Sequence, residues 1–123
     1  MTVAQKQQIM RLMSRYISFQ CQVHEYEWER DLDGLKAYKE FITDLKDMHL
    51  NFNKLTEDDV KLLGFYDYTL KDGRVVWLAP LYLVDVIPDG TKMTGIMGKD
   101  FVKQGQLNND NRNGYLAYGI IVI

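Results

Sequence analysis

The stretch Phe65-Tyr66-Asp67-Tyr68-Thr69-Leu70-Lys71-Asp72-Gly73-Arg74-Val75-Val76-Trp77-Leu78-Ala79 decides the fold. Aromatic and β-branched residues dominate both arms, and Lys71-Asp72-Gly73 between them carries the turn chemistry of a tight hairpin. The reading is two antiparallel strands, 65–70 and 74–79. Downstream the same punctuation recurs. Pro88-Asp89-Gly90 predicts a second hairpin turn between strands at 81–87 and 91–97. Residues 98–114 contain Gly105 and Asn108-Asn109-Asp110-Asn111 and read mostly as loop. Residues 115–123 read as the last strand.

Upstream of Gly64 the pattern is helical. Thr2-x-x-Gln5 has the form of a capping box, and Ile9, Leu12, Met13, Tyr16, Phe19 and Val23 follow at helical spacing. A helix is expected over 3–28. Asp31-Leu32-Asp33-Gly34 breaks it, and Leu35, Tyr38, Ile42, Leu45, His49 and Phe52 predict a second helix over about 34–50. Together they suggest a helical hairpin. Thr56-x-x-Asp59 caps a short third helix that ends at Gly64. Helices first and antiparallel strands after them make an α+β chain. Its 123 residues form one domain, with a helical part at 1–64 and a β part at 65–123.

Composition narrows the function. Apolar residues make up 46% and charged residues 26%, which suits a folded core rather than a disordered chain. The single cysteine, Cys21, forms no internal disulfide and fits a reducing cytosol. Lys6, Arg11 and Arg15 interrupt any apolar leader, so no secretory signal is expected, and no run is long enough for a membrane span. Net charge is −2, which argues against DNA. From residue 74 onward, however, Arg74, Lys92, Lys99, Lys103 and Arg112 stand against only Asp85, Asp89, Asp100 and Asp110. That mildly basic half suits a small anion held in a pocket.

Chemistry-bearing constellations are sparse. The histidines are His24 and His49, both on expected helices, and Cys21-x-x-His24 offers one ligand pair that nothing completes into a zinc site. His49 reads as a packing residue on the second helix. Asp31 and Asp33 at a helix start, and Glu57-Asp58-Asp59 in a first turn, are explained by capping and the helix dipole. Phosphate-loop, dinucleotide, nucleophile-elbow and metalloprotease motifs are missing. The expectation is a binding protein without cofactor, metal or catalytic residues.

The aromatics of the β half are more suggestive, because Tyr and Trp stack on planar bases while their polar tips stay wet. The loop at 107–114 is the most unusual segment. Its asparagines suit tight turns, and their amides could equally read a ligand's edges, with Arg112 placed to bind phosphate.

Ile87-Pro88-Asp89-Gly90-Thr91, Ile96-Met97-Gly98 and Asp110-Asn111-Arg112-Asn113-Gly114-Tyr115-Leu116-Ala117-Tyr118-Gly119 together resemble the C-terminal half of the first Thoeris anti-defence family of phage proteins. The resemblance covers most of the chain in architecture and residues 87–119 in motif. It implies a phage-encoded sponge in the host cytoplasm, sequestering a cyclic ADP-ribose signal uncleaved in pockets between protomers. It also implies a ligand set of Arg112 on phosphate, Tyr82 stacked on adenine, and Asn111, Asn113, Asp89, Thr91 and Thr94 around them. The long first helix predicts a homodimer or a higher even oligomer. The rival reading is an anti-CRISPR-like inhibitor that binds a host defence protein directly, drawn from the acidic segment 25–72.

Overall fold

A computed structural model describes the backbone of residues 1–23, 32–107, 111–112 and 114–123, and the side chains of 1–15, 36–107 and 114–123. Two compact units emerge, residues 1–49 and 50–123.

In the first unit, Thr2 and Gln5 form the expected capping box: Gln5 N–H donates to Thr2 Oγ1 at 3.1 Å, and Thr2 N–H to Gln5 Oε1 at 2.9 Å. Helix α1 then runs Val3–Val23. The expected continuation to residue 28 lies outside the described residues. Helix α2 is Leu32–Asp47. It starts earlier than expected, because Leu32, Asp33 and Gly34 join the helix rather than breaking the chain before it. The two helices pack together, with Ile9, Leu12, Phe41 and Leu45 buried and Arg15 bridging to Asp44 at 3.2 Å. Helix α2 also stops short of the expected residue 50. His49 stands past its end with φ 49° and is exposed, not a packing residue of the helix stripe. It occupies the left-handed position that follows many helices.

The second unit begins with buried Leu50 and Phe52. Helix α3, Glu57–Leu62, has its full capping box between Thr56 and Asp59. It closes as a Schellman motif: Phe65 N–H donates to Val60 at 2.9 Å and Gly64 N–H to Lys61 at 3.1 Å, with Gly64 at φ 87°. Helix α3 falls in the same unit as the sheet, residues 50–123.

The α+β class holds. Strands β1 (Tyr66–Thr69) and β2 (Val75–Pro80) form the expected hairpin, with Tyr66 opposite Leu78 and Thr69 opposite Val75. The stretch 81–87 is not a strand. Pro80 ends β2 beside a register shift, and Leu81–Asp85 turns as a 3₁₀ helix. The burial of Tyr82, Leu83, Val86 and Ile87 is helical in period, so the apolar run turns one face inward instead of alternating. Pro88-Asp89-Gly90 consequently links that turn to a strand, not two strands to each other.

Strands β3 (Lys92–Gly95), β4 (Asp100–Val102), β5 (Asn111–Arg112) and β6 (Tyr115–Ile120) complete the sheet. Two of them, β4 and β5, fall in the stretch expected to be mostly loop. All pairings are antiparallel, in the order β1-β2-β6-β3-β4, with β5 also on β6. The last strand is thus central, and β1 and β4 are the edges. The final residues, 121–123, lie beyond β6; Ile123 N–H donates to the Leu55 carbonyl at 3.1 Å.

Candidate functional site

The β3–β4 hairpin carries a cleft on each of its faces. Its turn is built by Gly95 N–H donating to the Lys99 carbonyl at 3.0 Å and Gly98 N–H to the Gly95 carbonyl at 2.9 Å, with Gly98 at φ 89°. Only glycine adopts that backbone without strain. The tip residue Met97 is left 88% exposed.

Register assigns side chains to faces. Met93 pairs with Phe101 and Gly95 with Tyr118, so Gly95, Phe101 and Tyr118 share one face. The rings of Phe101 and Tyr118 meet edge to face, with centroids 5.4 Å apart and planes at 78°. Small residues at Gly95 and Ala117 leave room beside them, and a cleft of about 620 Å³ opens there. Met97 and Leu107 add apolar wall; Lys99, Gln104 and Gln106 add a cation and two carboxamides. Among the described residues, the lining has no carboxylate, imidazole, thiol or aliphatic hydroxyl.

On the opposite face lie Lys92, Thr94, Asp100 and Val102, paired as Lys92 with Val102 and Thr94 with Asp100. A smaller cleft of about 430 Å³ runs over them, closed by Asn53, Arg74 and Ile121 among others. Arg74 is committed here. Its guanidinium donates to Asp72 at 2.9 Å, to Asp100 at 3.0 Å and to the Gly98 carbonyl at 2.8 Å. Thr94 Oγ1 donates to Asp100 at 2.9 Å. The Thr94 hydroxyl, then the Arg74 guanidinium, hold the Asp100 carboxyl below its ordinary value. The Arg74 backbone N–H, then its guanidinium, do the same for Asp72. The clamp ties the β1–β2 turn to the β3–β4 turn and fixes both clefts' shared hairpin.

The residues expected at the site are dispersed. Tyr82 is buried, and its hydroxyl donates to the Leu63 carbonyl, so its ring offers no open stacking face. Thr91 is buried and closes the Pro-Asp-Gly turn by donating to the Pro88 carbonyl at 2.8 Å. Asp89 accepts from Lys103 Nζ at 2.9 Å and from Gly105 N–H at 3.1 Å, and the Lys103 amine first of these lowers its pKa. Among the described side chains of this group, Thr94 alone lines a cleft. Asn111 and Arg112 form β5, opposite Leu116 and Tyr115. Their side chains, and all of Asn113, lie outside the described residues, as do His24 and the Cys21 side chain.

Gln104 and Gln106 escaped the sequence reading, and Lys99 entered it only as one of the five bases of the second half. The spacing Gly95-Ile96-Met97-Gly98-Lys99 was a hairpin signal that could have found them. Among the described residues no group of three or more His, Cys, Asp or Glu could hold a metal ion, and no helix is long and apolar enough to cross a membrane. Comparison with protein-family models, with curated proteins and with solved structures returns no match for this chain.

Proposed function

We propose that this chain acts by stoichiometric binding and that the Phe101 face of the β3–β4 hairpin holds a small nucleotide-type signal. The observation that carries the reading is the cleft itself. Its volume of about 620 Å³ falls in the range of about 300–1,000 Å³ typical of small-molecule sites. It combines two aromatic rings, two carboxamides and one ammonium, which is the chemistry that stacks a base, reads its edge and offsets a phosphate. The described lining offers no nucleophile with an adjacent base, so the bound molecule leaves unchanged.

The resemblance of residues 87–119 supplies the ligand class, a cyclic ADP-ribose isomer, and the setting, a phage anti-defence sponge in the host cytoplasm. The segment 108–113, with Arg112, follows the cleft residue Leu107 directly in the chain and is the natural source of a phosphate-binding arginine. Titration calorimetry with cyclic ADP-ribose isomers, followed by heat denaturation and mass spectrometry, tests this. Saturable binding and return of intact ligand are expected. A sponge holding ligand at a thousand times Kd gains ~4 kcal/mol of stability, seen as a raised Tm. Absence of binding, or conversion of the ligand, overturns the reading.

A further inference from the structure

We propose that the outer edge of β4 accepts an extended acidic segment of another protein as an added strand. Strand β4 ends the sheet order, and its ladder with β3 uses alternate residues. Lys99 accepts from Gly95 at 3.0 Å, and Lys103 donates to Thr91 at 2.9 Å. By the alternation of an antiparallel ladder, Phe101 also faces β3, and the backbone groups of Asp100 and Val102 face outward. Among the described residues no strand pairs with that edge. It lies between the two clefts, one on each face, and Val102 itself is 52% exposed. Strand addition draws its affinity from main-chain hydrogen bonds and its selectivity from pockets for alternate side chains, and this edge offers both.

Charge selects the occupant. Lys92 on β3 and Lys99 just before β4 stand near the edge, and neither forms an ion pair among the described residues, whereas the Asp100 carboxylate on β4 is held by Arg74 and Thr94. An incoming strand with carboxylates placed for Lys92 and Lys99, and an apolar residue beside Phe101, meets all three demands. This surface does not rest on the nucleotide reading, although the cleft under Met97 and Tyr118 shares Lys99, Phe101 and Val102 with it.

The probe is the blocked hexapeptide Val-Glu-Phe-Thr-Glu-Val, added to the full chain labelled with ¹⁵N. Saturable shifts at the Asp100 and Val102 amides and their protection from hydrogen exchange are expected. Val102→Pro removes an outward donor without touching the β3 ladder, and edge strands tolerate proline. It should weaken the peptide about tenfold, while Val102→Thr binds like wild type. Replacing both peptide glutamates by lysine should weaken it at least as much. A melting curve checks that Val102→Pro is folded. No binding, binding indifferent to both changes, or concentration-dependent dimerisation through this edge without peptide overturns the proposal. Calorimetry with nucleotide in the absence of peptide reads the cleft separately, so failure of either reading is distinguishable from failure of the other.

Discussion

Gly119 and Trp77 approach so closely that no side chain fits at position 119. A Cβ there would stand 2.8 Å from Val76 Cγ2 and nearer still to the Trp77 carbonyl. The obstacle is backbone, which cannot rotate away, and Gly119 sits mid-sheet between Leu78 of β2 and Thr94 of β3. Gly119→Ala therefore forces β2 and β6 apart. Overpacking of this kind costs about 1–3 kcal/mol. The expected Tm loss is roughly 5–15 °C in a chain this size. Thermal unfolding checks it, and a wild-type Tm would show that the strands relax freely.

Tyr82 provides a contrast between stability and binding. Its buried hydroxyl donates to the Leu63 carbonyl at the end of α3. Tyr82→Phe strands that acceptor and should cost about 1–2 kcal/mol. Ligand affinity at the Phe101 face should not change. A melting curve beside a titration of the same variant separates the two, and lost affinity at unchanged Tm would restore Tyr82 to the site.

Much of the fold was legible because its signals are local. Lys71-Asp72-Gly73 lies between the strands it joins, and the Thr2/Gln5 and Thr56/Asp59 boxes each span four residues. The stretch 81–87 has the apolar content of a strand but the period of a helix, since its inward residues are 82, 83, 86 and 87. Strands as short as β4 and β5 exist through partners elsewhere in the chain, which no local pattern announces. The site was less legible for the same reason. Arg74 directly follows the β1–β2 turn, yet its partner Asp100 lies 26 residues on. Tyr82 looked free to stack, yet its partner lies 19 residues back.

Three carboxylates make the second unit acid-sensitive. Asp72, Asp89 and Asp100 are all held below the ordinary value, by Arg74, Lys103 and Thr94 chiefly. A depressed folded pKa stabilises above the unfolded value, near 3.9, and that contribution disappears as pH falls through the folded one. The Tm should be level from about pH 7 to pH 5 and decline below about pH 4. Substituting Asp89→Asn and Asp100→Asn together should lower the plateau and flatten the acid limb. An unaltered acid limb in that variant would remove these pairs from the account.

Lys103 and Asp89 should respond unequally to deletion. Lys103 is buried, whereas Asp89 is mostly exposed. Asp89→Ala leaves a buried ammonium without its carboxylate, while Lys103→Met replaces the stem with apolar volume and frees an exposed acid. Asp89→Ala should therefore lower Tm more than Lys103→Met. Equal losses would mean that the amine reaches water once Asp89 is gone.

The first helix bears on assembly. Val3 and Met10, seven residues apart and so on one face of α1, are 74% and 55% exposed. A homodimer built on this face would cover them. Light scattering at micromolar concentration should give at least twice the 14.4 kDa chain mass, and Met10→Glu should shift it to the monomer. A wild-type monomer would sink this assembly while leaving the cleft intact.

Gly95 offers the sharpest test of the ligand cleft, because the site can be filled there without disturbing what surrounds it. A Cβ at Gly95 would meet only the Lys99 carbonyl at 3.8 Å and the Ala117 carbonyl at 4.0 Å, both ordinary contacts. Its φ is not in the left-handed range, so a β-branched residue suits the strand. Gly95→Val should leave Tm unchanged or slightly raised, while its methyl groups occupy the floor between Phe101, Ala117 and Tyr118 where a base would lie. Phe101→Leu probes the same cleft from the other side, removing the ring but keeping apolar bulk. Stacking of a base on an aromatic ring contributes ~1–3 kcal/mol, so that change should weaken binding by roughly five- to a hundredfold. Calorimetry with the ligand found for wild type reads both variants. If Gly95→Val is folded and binds as wild type does, the ligand lies somewhere other than the Phe101 face, and the segment around Arg112 becomes the place to search.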